Sequence, residues 1–346
     1  MEIRISAEGG TTDISQLVTT ATWSGDISQC GRTLSFGVAS SPVDTNIPAV
    51  DMPLGAAVWL GDGGPLFEGH IFSRQKLTGS SAIDVTCFDR GIYLKRNETG
   101  GNFEGMAPED IAARVCLDFD IPVGKFAKTG VKVSRNFVGV TIYQIIQTAY
   151  TLAAKTTGAA YQIRFNGGSL DVVEKAVGPE TLVLRGGSNL MSAAVTESIE
   201  KTVTQVAIYG DDDRLIGTKR NDGLVKLYGV MQKCIKQTKD GDADADARKL
   251  LDDNGVSQKI TVENLGDARC ITGNAVVVQE PYTGLYGLFW IDSDVHTWKN
   301  GLYLNKLTLN FRRLMDEQEA GSLPEAKPAT GGAKKEPVQA KWEYVF

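Results

Sequence analysis

Two hydrophobic rhythms divide the chain. Up to about residue 97 the apolar positions alternate with polar ones, as strands with one buried face do. Ile3 and Ile5 open the pattern, and Leu17–Trp23 is rich in β-branched residues. Leu34, Phe36 and Val38 then alternate with Thr33, Ser35 and Gly37. Ala56–Leu60, the turn Gly61-Asp62-Gly63-Gly64 and Leu66–Leu77 predict a hairpin, and Ile83–Phe88 follows a further turn. Short strands with Gly-rich turns predict a small barrel or sandwich. A polar connection at 97–105 ends this region, and the period lengthens. Pro108, Glu109 and Asp110 start a helix, since Pro fits the first turn and acids suit the N-terminal dipole. Ile111 and Val115 continue it and Ile121-Pro122 ends it. Thr141–Ala154 predicts a second helix, with Ile142, Ile145, Ile146, Ala149 and Leu152 on one face. Tyr161–Phe165 and Leu170–Val173 predict a hairpin around Asn166-Gly167-Gly168.

Strand character returns from about 186. Thr202–Tyr209 reads as a strand with Leu215–Lys219 pairing back. Asp242–Asp253 reads as a helix with a left-handed stop at Asn254-Gly255. A meander fills Leu265–Phe311: apolar runs at Ala275–Val278, Leu288–Asp292 and Leu302–Phe311, with Asn300-Gly301 between the last two. Asn-Gly is the dipeptide a type I′ hairpin turn favours, because both central residues need positive φ. After Met315 the composition becomes that of a linker, too poor in apolar residues to fold alone. It ends in Trp342, Tyr344, Val345 and Phe346, read as a docking segment on a flexible tether, against the plainer reading of an unordered tail. The expected boundaries are 1–97, 98–185, 186–315 with a helix near 243–253, and 316–346.

A length of 346 residues exceeds one ordinary core, in line with two or three domains. Net charge is −6, which argues against specific nucleic-acid binding through phosphates. No apolar run approaches the roughly 18 residues needed to span a bilayer, so no membrane anchor is expected. The N-terminal stretch lacks the apolar core of a secretory signal. Five scattered cysteines without a CxxC pair read as buried, reduced thiols.

Candidate chemistry is sparse. His70 and His296 are the only histidines, and no Cys/His spacing suits zinc. Asp292, Asp294 and His296 lie two apart, which places them on one face of a strand. Beside Trp298, His296 reads better as a strand-end packing and hydrogen-bonding residue than as an acid or base. The acids from Asp240 to Asp244 fail the calcium-loop pattern, because Ala245 and Leu251 stand where Gly and Glu are required. Nucleophile elbow, Walker A and dinucleotide motifs are absent. No catalytic, metal or cofactor residue is assigned.

Leu66-Phe67-Glu68-Gly69-His70-Ile71, followed by Cys87-Phe88-Asp89-Arg90-Gly91-Ile92-Tyr93-Leu94, resembles the pattern of phage baseplate hub proteins. The similarity is to XkdQ-like hubs of PBSX-type contractile tails, related to late-control D and T-even phage hub proteins. Ile142–Ile146, Tyr161–Phe165 and Gly168–Val173 resemble the middle domain of that family, and Thr202–Gly210 the strand opening its second barrel. Gly273–Val278, Gly287–Ile291 and His296 resemble its closing pattern. The resemblance spans about 1–315. It implies a mainly β fold with two tube-protein-like barrels and a small α+β domain. It also implies a homotrimer whose six barrels form a pseudo-hexameric ring, joining a three-fold spike to a six-fold tail tube. Expected partners are the spike, tail tube or tube-initiator proteins, other baseplate proteins and the tape-measure protein. The expected location is the tail baseplate of a phage, defective prophage or bacteriocin particle assembled in the host cytoplasm. Two other readings compete: a tail-associated peptidoglycan hydrolase, and a module binding cell-surface glycan or an effector.

Overall fold

Alternation governs most of the first seven strands: β1 (Glu2–Ala7), β2 (Gly10–Asp13), which is exposed throughout, β3 (Val18–Asp26), β4 (Thr33–Ala39), β5 (Ala57–Gly61), β6 (Pro65–Lys76) and β7 (Ala82–Asp89). In β4 the buried residues are Leu34, Phe36 and Val38, and in β5 they are Val58 and Leu60. The structure, a computed structural model, describes residues 1–7, 10–41, 43–237 and 242–324. The sequence-read docking residues Trp342, Tyr344, Val345 and Phe346 lie outside the described residues.

A short helix, α1 (Gly91–Arg96), leads into the α+β insert: β8 (Glu98–Met106), α2 (Pro108–Leu117), β9 (Val123–Phe126), β10 (Val133–Thr141), α3 (Ile142–Thr157), β11 (Tyr161–Asn166) and β12 (Ser169–Glu174). α2 starts at Pro108 with Glu109 and Asp110 in its first turn, but it stops at Leu117, ahead of Ile121-Pro122. α3 begins at a capping box formed by Thr141 and Gln144. The stretch expected to be a polar connection is strand β8, paired with β10. Its glycines hid it: a Cβ on Gly100 would lie 2.7 Å from Phe137 O, so close backbone approach requires Gly there. The core of the insert takes in Ile111, Val115, Ile145, Ile146, Tyr150 and Leu170, together with Cys30 from the loop between β3 and β4.

Next come β13 (Leu182–Arg185), β14 (Leu190–Ser198), β15 (Gln205–Tyr209), β16 (Leu215–Arg220), α4 (Asp222–Tyr228), β17 (Gln232–Lys236) and α5 (Ala243–Asp253). The chain continues through β18 (Ser257–Leu265), β19 (Ala275–Glu280), β20 (Leu285–Lys299) and β21 (Leu302–Asn310). β15 pairs back with β16 as expected, but it does not open a second barrel. It is the centre of a separate three-stranded sheet covered by α5, whose Ala243 and Ala247 meet Val206 and Ile208. Asp242 caps α5 by accepting from Asp244 N and Ala245 N. The expected left-handed stop is absent: Asn254 has φ −114, and its side chain donates to Leu250 O instead. Cys234 is exposed, contrary to the buried-thiol expectation. On β17 its neighbour Ile235 takes the face toward α5, which turns Cys234 away.

The remaining strands form one curled sheet of thirteen, ordered β14-β18-β21-β20-β3-β4-β7-β6-β5-β1-β2, with β19 and β13 branching from β20. β20 belongs to both halves. Its residues 285–290 pair with β19, and 293–299 pair with β3. Asn300 and Gly301 have φ 52 and 76, the turn the sequence predicted. Ile3, Leu34, Val58 and Trp298 pack in the first core, and Phe289, Ile291, Leu307 and Leu309 in the second. The fold is therefore mainly β with an α+β insert. Among the described residues no helix is long and apolar enough to cross a membrane.

After β21 the chain runs back along α3. Gln147 Nε2 donates to Asp316 O, Gln318 N to Thr151 Oγ1 (3.2 Å) and Ala320 N to Thr148 Oγ1 (3.1 Å). Ser322 then bridges Asn136 on β10. The linker-like composition from 316 concealed this strap, because polar side chains of α3 hold its backbone where apolar burial does not.

Candidate functional site

The hairpin turn at Asn300-Gly301 fixes which side chains meet. It sets His296 opposite Asn305 and Trp298 opposite Tyr303, while β3 brings Trp23 opposite His296 and Gly25 opposite Asp294. Along β20 the inward face reads Phe289 and Ile291 in the second core, then Asp294 and His296, then Trp298 in the first core. β21 repeats this with Leu307, Asn305 and Tyr303. The polar residues thus form a partition between two apolar cores.

Each polar atom there needs a partner, since an unmade hydrogen bond in the interior costs about 1–3 kcal/mol. His296, fully buried, has Nδ1 2.7 Å from both Tyr303 OH and Asn305 Nδ2, and Nε2 3.1 Å from Cys270 O. Asn305 Oδ1 accepts from Asp267 N (2.6 Å) and Asn264 Nδ2 (3.2 Å), which turns its amide nitrogen to the imidazole. His296 Nδ1 therefore accepts, and Nε2–H donates to Cys270 O, with Asp294 Oδ2 3.2 Å away. The ring lies 4.7 Å from the Trp23 ring, and Trp298 stacks on Tyr303 at 4.3 Å. Trp298 Nε1 donates to Asp62 Oδ2 (2.8 Å), tying β20 to the turn between β5 and β6.

Asp294 is also fully buried, and its oxygens are claimed on all sides. Arg32 Nη1 donates to Oδ1 (3.0 Å), Arg32 Nη2 to Oδ2, and Thr272 N and Oγ1 to Oδ1 (2.6 Å each). Burial opposes its charge, but Arg32 and His296 outweigh that and hold its carboxyl well below the usual range. The Arg32 guanidinium lies 3.9 Å over the Trp23 ring. Gly25 makes room for it, since a Cβ there would collide with Nη1. Asp89 accepts from Arg32 N (2.9 Å) and Gly91 N (2.8 Å), and burial pushes its carboxyl up to about 6.

The structure brings two of the three aligned acid/base candidates together and separates the third. A bulge between Ile291 and Ser293 removes Asp292 from the face of Asp294 and His296. Asp292 instead accepts from Asn310 Nδ2 (3.1 Å), and its carboxyl is raised by burial. His70 lies elsewhere, on β6 opposite Ala57. Among the described residues no three His, Cys, Asp or Glu side chains gather as a metal ion requires. Sequence reasoning missed Arg32, Thr272 and Asn305, which lie 262, 22 and 9 positions from their partners. No local periodicity marks such pairs. Beside the partition opens a cleft of about 1030 Å³, walled by the first strands, the tip of the β11–β12 hairpin and residues 268, 271 and 272.

Comparison with known proteins bears on what this arrangement serves. The profile of the family described as YQBQ-like matches residues 21–310. The phage-like element PBSX protein XkdQ of Bacillus subtilis strain 168 is 27% identical over 265 residues, covering 74% of this chain and 81% of that protein. In three dimensions the chain is similar to the 43 kDa tail protein of prophage MuSo2 from Shewanella oneidensis, with TM-score 0.66, 13% identity, and 90% and 98% of the two chains covered. It is also similar to the tail protein from Neisseria meningitidis MC58, with TM-score 0.62, 15% identity, and 89% and 95% covered. At such identities the structural likeness shows a shared fold.

Proposed function

Because the chain belongs to the YQBQ-like family, we propose that it is a structural hub of a contractile phage tail or tail-like particle. In this reading three copies form a pseudo-hexameric ring that connects a three-fold spike to a six-fold tail tube. The observation that carries it is the shared strand β20, which fuses two curled half-sheets in one chain. Two barrel-like halves per chain and three chains supply six similar units, and closed cyclic symmetry is how like subunits finish a ring. The polar partition at Asp294 and His296 then serves architecture: it holds the two halves in one register, with His296 and Trp298 as strand-end fasteners. No catalytic role is part of the proposal. Partners on either side are the spike, tube or tube-initiator proteins, other baseplate proteins and the tape-measure protein, within a particle put together in the host cytoplasm. Trp342, Tyr344, Val345 and Phe346 dock on one of these neighbours.

The test is the copy number and position of the chain in purified particles. Three copies between tube and spike are expected, and any other stoichiometry refutes the ring. Deleting 338–346 should impair particle assembly while the purified chain stays folded. Clearing of a peptidoglycan suspension by the purified chain, lost on substituting one Asp or Glu, would overturn the non-enzymatic reading.

A further inference from the structure

α3 has two faces, and both are covered. Ile142, Ile145, Ile146 and Ala149 pack into the core of the insert. On the opposite side Gln147, Thr148 and Thr151 are 2%, 0% and 1% exposed. An amphipathic helix ordinarily turns such a polar face to water. Here the strap hydrogen-bonds to all three residues, through Asp316 O, Ala320 N and Gln318 N. These are bonds that water would replace if the strap left.

The strap itself buries little. None of residues 315–324 is buried. In the run Asp316 to Ser322 the one apolar side chain is Ala320, which rests against the insert core. Glu319 pairs with Lys155, but the two side chains are 58% and 48% exposed, so solvent screens the pair and it adds little. At the far end Gly321, at φ +74, lets the strap lie close on β10, since a Cβ there would come 2.3 Å from Asn136 O. Ser322 and Asn136 then exchange both backbone hydrogen bonds (2.9 Å each). The root is fixed in another way. Arg313 donates to Lys175 O and Gly158 O (3.0 Å each), and the buried Lys175 ammonium donates to Leu314 O (2.6 Å). A pinned root thus carries a run held almost wholly by polar contacts.

We propose that residues 316–322 form a releasable latch, which leaves α3 and β10 as one unit while the insert and both half-sheets stay folded. Opening exchanges hydrogen bonds with water and exposes almost no apolar surface, so it lies far below global unfolding in free energy. It leaves α3 an ordinary amphipathic surface helix and frees the edge of β10 at Asn136. It also turns the strap into a tether hinged after Leu314, whose seven residues reach about 25 Å. The latch does not depend on the ring.

The test is amide hydrogen exchange of the purified full chain, read residue by residue at several urea concentrations below the unfolding transition. The reporters are the amides of Gln318, Ala320 and Ser322 on the strap and of Asn136 on β10, each of which is protected by the closed latch. All four are expected to exchange at one shared opening rate, at least a hundredfold faster than Ile146 and Ala149 in α3 and nearly independent of urea. Gly321→Ala, at an exposed position, should leave the circular dichroism unchanged and speed all four reporters at least tenfold, with Ile146 and Ala149 still the slower. Reporters that exchange at the α3 rate and with its urea dependence would overturn the latch, because the strap would then open only when the insert unfolds. Asn136 staying protected while the strap amides of Gly321→Ala exchange would overturn release as one unit.

Discussion

Replacing Asp294 by Asn changes one oxygen to an amide and removes one charge from the centre of the partition. In the native chain both carboxylate oxygens are acceptors, for Arg32 Nη1 and Nη2, Thr272 N and Oγ1, and His296 Nε2–H. Asn offers one acceptor and one NH2, so an N–H would point at Arg32 Nη2 and His296 Nε2, donor against donor. Breaking a buried pair by removing one partner costs about 3–5 kcal/mol. Arg32 keeps 17% side-chain exposure, and solvent relieves part of its lost pairing, which sets the expectation at about 3 kcal/mol. The measurement is urea unfolding followed by tryptophan fluorescence, since Trp23 lies under Arg32 and beside His296. The pH dependence adds a second check. The Asp294 carboxyl is held below its ordinary value of 3.8, so its contribution is complete above that value and is lost as pH falls below it. The gap between native and Asp294→Asn chains should be constant from pH 5 to 8 and narrow only in stronger acid. A loss under about 1 kcal/mol at pH 7, or a gap that varies through neutrality, would refute Asp294 as a paired carboxylate at the centre of the partition.

His296→Ala leaves Asn305 Nδ2 and Tyr303 OH without their shared acceptor, so denaturation midpoint and particle yield should both fall. Gly266→Ala would drive a Cβ into the Tyr303 ring, and an overpacking loss of about 1–3 kcal/mol is expected in the same unfolding assay. Lys175, buried, donates to Leu314 O at the start of the strap (2.6 Å), and burial brings its ammonium down to about 8. The unfolded chain then binds the extra proton between about 8 and 10.5, so stability should rise with pH across that window. Lys175→Met should lose this slope when urea midpoints at pH 7.5 and 10.5 are compared.

What could be read from the sequence was what neighbours in sequence decide. Leu34, Phe36 and Val38 announce their strand by alternation, Pro108, Glu109 and Asp110 their helix start, and Asn300-Gly301 its turn. Other features depend on distant chain. Strand β8 is glycine-rich because Phe137 comes close, which only the paired β10 reveals. Asp292 left the face of Asp294 because one bulge shifts the two-residue parity, and nothing local demands a bulge there. Arg32 looks like an ordinary turn residue until Asp294 arrives from the far end of the chain. The strap resembles a linker because the groups that hold it are Gln147, Thr148 and Thr151, polar residues on the helix they belong to. The resemblance to baseplate hubs reached further than periodicity could, since the order of motifs along the chain carries topology that no single segment holds.

The long strand β20 has a mechanical consequence. One half of it is laced into each half-sheet, with β21 alongside from Trp290 to Lys299. A load applied to one half-sheet therefore reaches the other through a continuous backbone and its cross-strand bonds, with no flexible joint to absorb it. The two halves must twist together or not at all, as segments of one beam do.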